Sequence, residues 1–296
     1  MNEKFKANIE LHTAVLLFGI TAILGALISI PALGVVWWRV LFTALSLLAF
    51  ASFKRMRRDL SKKQILRFML VGVLIAIHWL TFFGAIKLSN ASITLVCLAT
   101  TTFFTAFTEP LLTGKPFYGS QILIGMLIIP GMYLVVNGVS SAYMNGIWVG
   151  LISALMAAIF GTLNKKWVEK GHAMDITFIE ITTAWLFLTL ILPFVLVKTG
   201  WQPYIPSGID FVYLFVLAFL CTTFAFYLTL KALRHLSAFQ TALTINLEPV
   251  YGIILAAWLL KENKDLNTNF YLGSLIILLA VFLYPLLKKS IKPKTT

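Results

Sequence analysis

The sequence predicts an all-α integral membrane protein, with ten transmembrane helices built as two inverted five-helix repeats. Three observations carry this expectation. Ten apolar segments follow one another through the chain, each near the ~20 residues a helix needs to span hydrocarbon. Basic residues gather in alternate connections between them. Ala85–Leu112 can be laid on Ala232–Leu259 without a gap, so that one segment echoes another. In that register Ala91 meets Ala238, Thr94 meets Thr241, Cys97 meets Thr244 and Thr101 meets Glu248.

The segments run Leu11–Ile30, Val35–Phe53, Phe68–Ile86, Ala91–Leu112, Gln121–Gly138, Ile147–Asn164, Ile176–Val197, Phe211–Leu230, Ala238–Leu260 and Phe270–Leu287. The first carries the small-residue stripe Gly19, Ala22, Ala26 and Ser29, which lets helix backbones approach closely. Arg39 lies a few residues into the second, either snorkelling to the interface or holding a carboxylate. His78 and Trp79 sit mid-way along the third, as a packing pair or as a polar donor beside an aromatic wall.

The fourth segment carries Thr94, Cys97, Thr101, Thr105 and Thr108 at helical spacing, then Glu109 and Pro110 as a gate or helix terminator. The fifth and tenth echo in Gly125 and Gly273. The sixth repeats the small stripe in Gly150, Ala154, Ala157 and Gly161. Glu180 stands near the start of the seventh, roughly where the repeat places Arg39. The loop Trp201–Pro206 reads as an interfacial aromatic belt with turns.

The ninth segment is the most informative. Asn246, Glu248 and Pro249 interrupt an apolar span, and a carboxylate at that depth is expensive unless it works. Pro249 lacks an N–H and weakens the helix near Ile245. The carbonyl so freed must face protein or a wet cavity. Thr244, Glu248 and Tyr251 share one face of this helix, as Thr101 and its neighbours do in the fourth. The two stripes are expected to line one polar chamber.

With a cytoplasmic N-terminus, nineteen of the 24 basic residues fall inside, seven of them in the single connection Lys54–Arg67. Lys87, Lys198, Lys261 and Lys264 fall outside, and Arg39 lies within the membrane. This bias places both chain ends in the cytoplasm. Five spans per half is odd, so the halves (1–142 and 143–296) insert with opposite orientation, as in many secondary transporters. The polar, mixed-charge first ten residues and the lack of a small-residue cleavage site argue against a removable signal peptide.

Composition narrows the function. Hydrophobic residues make up 59% of the chain and charged residues 12%, with a mean hydropathy of +0.90. The net charge of +13 sits in membrane-flanking loops and is not interleaved with aromatics, which argues against nucleic acid. Cys97 and Cys221 both lie in apolar segments and read as buried small side chains. No HExxH, GxSxG or clustered aspartates support a membrane-embedded enzyme acting on lipid, and a channel or scaffold protein is the other alternative.

Several motifs in order resemble the drug/metabolite transporter superfamily, in its ten-helix EamA-type branch. They are Trp37-Trp38-Arg39, Leu88-Ser89-Asn90-Ala91-Ser92, Leu236-Ser237-Ala238-Phe239-Gln240-Thr241, Glu248-Pro249-Val250 and Leu260-Lys261-Glu262, followed by the helix from Gly273. The resemblance spans nearly the whole chain. Ala26 stands where the family often has lysine, and Lys115 where it usually has glutamate. The position of His78 is similar to a histidine of the aromatic amino-acid exporter branch.

The resemblance implies a cytoplasmic-membrane carrier of small metabolites, often an exporter of amino acids or related solutes, working by alternating access. Expected partners are a small-molecule substrate and the lipid bilayer; proton coupling, exchange and facilitated diffusion stay open as the driving mode. No cofactor or metal is expected, and the chain is expected as a monomer or homodimer.

Overall fold

The computed structural model describes residues 3–114, 116–117, 119–167, 171–232, 235–236 and 244–290. The register of Ala238 with Ala91 and of Thr241 with Thr94 lies outside them, as do Lys115, Lys170, Arg234, Lys292 and Lys294. Among the described residues all regular structure is helical. Helices α1 (Glu3–Leu27), α2 (Ala32–Leu47), α3 (Phe53–Asp59), α4 (Lys62–Leu88), α5 (Ala91–Ala99), α6 (Thr101–Thr113) and α7 (Gly119–Asn137) form the first half. Helices α8 (Met144–Trp167), α9 (Ala173–Thr199), α10 (Gly208–Phe215), α11 (Ala225–Ala232), α12 (Glu248–Leu255) and α13 (Thr268–Ser290) follow. A π-helical stretch, Val216–Phe224, joins α10 to α11, and another, Ala256–Leu260, continues α12.

Among the described residues, six helical stretches are long and apolar enough to cross a membrane: Glu3–Leu27, Lys62–Leu88, Ala91–Thr113, Ser141–Trp167, Ala173–Thr199 and Gly208–Thr229. Four shorter apolar helices, Ala32–Leu47, Met126–Asn137, Glu248–Leu260 and Thr268–Leu283, accompany them.

The fourth segment, which the sequence reads as a single run, is not one continuous α-helix. It breaks at Thr100, whose hydroxyl donates to the Cys97 carbonyl at 2.6 Å, and restarts at Thr101. Such a bond competes with the helix ladder. Pro110 does not terminate α6 either. The helix runs on to Thr113 and is closed by Gly114 in the left-handed region at φ 74°, where glycine has no Cβ penalty. In the second half α12 starts at Glu248, after the turn at Asn246 and Leu247. Pro249 sits in its first turn, where a missing N–H costs nothing.

Packing is by close helix crossings. Helix α1 lies against α11, the adjoining π stretch and α12, while α8 lies against α4, α5 and α6. Helix α2 meets α9, and α7 meets α13. A Cβ on Gly19 would come within 3.0 Å of the Gly252 nitrogen, and one on Gly150 within 2.9 Å of the Cys97 Cβ. Each small-residue stripe therefore docks on the fourth segment of the other half. One on Gly273 would meet the Gly131 carbonyl at 2.4 Å.

Carboxylates tie element ends together. Glu262 accepts from the Ala91 and Ser92 amides at 3.0 and 2.8 Å, at the start of α5. Asp210 accepts from the Ser29 amide at 2.9 Å and its hydroxyl at 2.5 Å. Asp175 accepts from the Ser52 amide at 2.9 Å and from Arg55 at 2.5 and 2.7 Å. The Lys87 ammonium donates to the Ile28 carbonyl.

Candidate transport site

Arg39 is buried, at 4% exposure, so it does not snorkel to an interface. Its Nε and one terminal nitrogen donate to the Thr222 hydroxyl at 3.2 and 3.0 Å. Its guanidinium lies over the Trp79 ring, 4.2 Å from the centroid, and 5.6 Å from that of Phe83. A cation on such ring faces is held by their quadrupoles. The other terminal nitrogen, Nη1, is buried and unpartnered among the described residues. Glu248 is near enough for the two charges to interact, yet no hydrogen bond or ion pair joins them. The resulting arrangement is an aromatic-walled cation with one free donor, facing a carboxylate at a helix start.

The π stretch explains how Thr222 reaches Arg39. In it Thr222 and Thr223 donate to carbonyls five residues back, Leu217 at 2.8 Å and Ala218 at 3.2 Å. The extra residue per turn re-aims both side chains, Thr222 to Arg39 and Thr223 to Ser46 at 2.6 Å. No residue pattern in the sequence marks this widening.

The first threonine stripe lines a separate cavity of about 370 Å³. Thr101, Thr105, Glu109 and Thr113 of α6 form one wall, and Ala157, Gly161 and Lys165 of α8 contribute to the other. The Thr101 hydroxyl oxygen is buried without a partner among the described residues, and Glu109 pairs with Lys165 at 3.4 Å.

The other predicted residues separate. His78 Nδ1 meets the Ser153 hydroxyl at 2.9 Å and its carbonyl at 3.0 Å, and that hydroxyl donates to the His78 carbonyl at 3.0 Å. His78 therefore stitches α4 to α8, while its neighbour Trp79 faces Arg39. Glu180 does not pair with Arg39. It accepts from Asn164 at 3.3 Å, and its second oxygen has no partner among the described residues. Tyr251 shares a hydrogen bond with His12 of α1 at 2.7 Å. Thr244 is buried, and Asn246 is half-buried in the turn before α12. Cys97 and Cys221 are buried free thiols.

No curated protein matches the chain. A solved crystal structure superposes with a TM-score of 0.62 over 96% of this chain and 98% of its own, at 13% identity, which establishes a shared fold. The model of the EamA-like transporter family matches twice, over residues 6–137 and 144–285. The doubled match, the apolar helices and the buried charges point the same way: the chain belongs to the EamA-like transporter family, the EamA-type permeases of the drug/metabolite transporter superfamily, and is a multi-pass membrane protein.

Proposed function

We propose that the protein is a secondary transporter that exports a small carboxylate-bearing metabolite, an amino acid or a relative, across the cytoplasmic membrane by alternating access. The observation that carries this reading is Arg39. A buried guanidinium with one free donor, stacked on Trp79 and opposed by Glu248, is complementary to a zwitterion. The substrate carboxylate meets Nη1, its ammonium meets Glu248, and an apolar side chain lies on Trp79 and Phe83.

Ten spans in two inverted halves, 1–142 and 143–296, with both ends cytoplasmic, would supply the movement. The doubled family match supports this. So do the helix starts: Thr101 and Glu248, equivalent in the sequence register, each open a helix after a break. The contacts are also reciprocal, since α1 leans on α12 of the other half and α8 on α5. In this orientation the cavity beneath Thr101 leads toward the cytoplasm, and Glu109 with Lys165 stands at its mouth.

Glu248 is also the group that protons would reach if transport is proton-coupled. In proteoliposomes, saturable counterflow of labelled amino acids is expected from the wild type. Glu248→Gln is expected to abolish it while the protein still inserts and keeps its thermal midpoint. Wild-type flux from this variant would refute the role given to Glu248, and unsaturable flux would make the protein a channel.

A further inference from the structure

A second cavity, of about 280 Å³, lies away from Arg39 and Glu248, where α3 covers the crossing of α4 and α9. Its walls are apolar: Met56 of α3, Ile65 and Met69 of α4, and Phe178 and Ile179 of α9. Three polar residues, Arg57, Thr182 and Thr183, break this lining. Arg57 stands at the rim, and Thr182 lies deeper, two turns along α9 from Asp175. The Thr182 hydroxyl oxygen is buried and has no hydrogen-bond partner among the described residues. A helical threonine ordinarily satisfies itself on a carbonyl of the preceding turn, as Thr183 does on Ile179 at 2.7 Å.

The rim is held in place. Asp175 grips both the Ser52 amide and Arg55, and Phe53 packs edge-on against Phe178 at 5.7 Å. Helix α3 is thereby pinned over the groove with Arg57 exposed. The surrounding cations are unevenly used. Arg55 is paired with Asp175, Arg58 with Asp59, and Arg67 lies over Trp167. Lys54, Arg57, Lys62 and Lys63 are exposed and have no acidic partner among the described residues. Next to them Phe53 and Leu66 are 60% and 66% exposed, as suits a face that lies in lipid.

We propose that this groove is a binding site for one anionic phospholipid of the cytoplasmic leaflet. The headgroup phosphate sits against Arg57, with Lys54, Lys62 and Lys63 adding the long-range attraction that basic residues exert at an anionic leaflet. An ester carbonyl accepts from Thr182, and an acyl chain fills the apolar walls between α4 and α9. A lipid is the occupant of choice because one molecule supplies, in this order along the groove, an anion, an acceptor and a hydrocarbon chain.

The test is native mass spectrometry of protein released from nanodiscs of equal phosphatidylglycerol and phosphatidylcholine. The wild type is expected to retain phosphatidylglycerol preferentially. Arg57→Gln and Thr182→Val are each expected to lower that retention about tenfold, the effect of one lost hydrogen bond to a charged or buried group. Met69→Trp, at an exposed wall position, is expected to block retention by filling the groove while leaving the phosphate contacts in place. Thermal midpoints of the three variants check folding. Equal retention of the two lipids, or retention unchanged in Met69→Trp, would overturn the proposal. Transport by Glu248→Gln is measured independently, so failure here leaves the transport reading untouched.

Discussion

Arg39 is held by little: one hydroxyl, two ring faces and a carboxylate beyond bonding reach. That thinness is what makes it available. Lysine at this position keeps the charge but loses the planar fork and the stacking surface. Arg39→Lys is expected to weaken uptake affinity about tenfold or more, measured as the concentration for half-maximal counterflow. His78 behaves differently because its bonds go to Ser153. Ser153→Ala is expected to lower stability by about 1–2 kcal/mol, read as a fall in thermal midpoint, with half-saturation unchanged. Sequence alone marked Arg39, Trp79 and Glu248 separately, through charge at depth and aromatic content. Their juxtaposition was not legible, because it depends on how α2 and α4 meet the π stretch. Nor was the separation of Glu180 from Arg39, since equivalent positions in a repeat need not be neighbours.

At the scale of elements, the two broken segments are instructive. Pro249 advertised the second break in the sequence. The first has no proline, and a side-chain bond from Thr100 to Cys97 takes its place. One local conformation is thus reached by two chemistries, and only the proline is visible to pattern reading. Small-residue stripes were legible as packing surfaces, but their partners were not. The glycine positions now separate by what surrounds them. Gly273→Ala would drive a methyl into the Gly131 carbonyl and the Val135 amide nitrogen, which are backbone atoms that cannot rotate away. It is expected to cost about 1–3 kcal/mol, seen as a lowered thermal midpoint in detergent. Gly161 has nothing within 4 Å of an added Cβ and lines the cytoplasmic-side cavity in the proposed orientation. Gly161→Ala is expected to leave the midpoint unchanged.

For the whole molecule, the contrast between the two ends of the fold matters most. Glu262 fastens the connection between α12 and α13 onto the start of α5, and Asp210 fastens α10 to Ser29. In the proposed orientation these bonds close the outer end, while the cavity beside Glu109 opens at the other. Glu262→Gln removes the charge that the two α5 amides hold. Labelling of a cysteine placed at Ser92 by an impermeant external thiol reagent is expected to rise about tenfold in that background, and an unchanged rate would show that Glu262 does not hold the outer end shut. The all-helical, multi-pass membrane class was the most legible part of the sequence, because every span must be apolar and near the thickness of the hydrocarbon. Closure was the least legible, because it rests on single bonds between distant residues. The π stretch carries a last consequence. Its turns are wider than those of a regular helix, and that widening steers Thr222 onto Arg39. Deleting one residue between Val216 and Phe224 would leave the hydropathy of the helix intact while turning Thr222 about 100° aside. Chain length within a single helix therefore acts as a vernier that sets one half of the protein against the other.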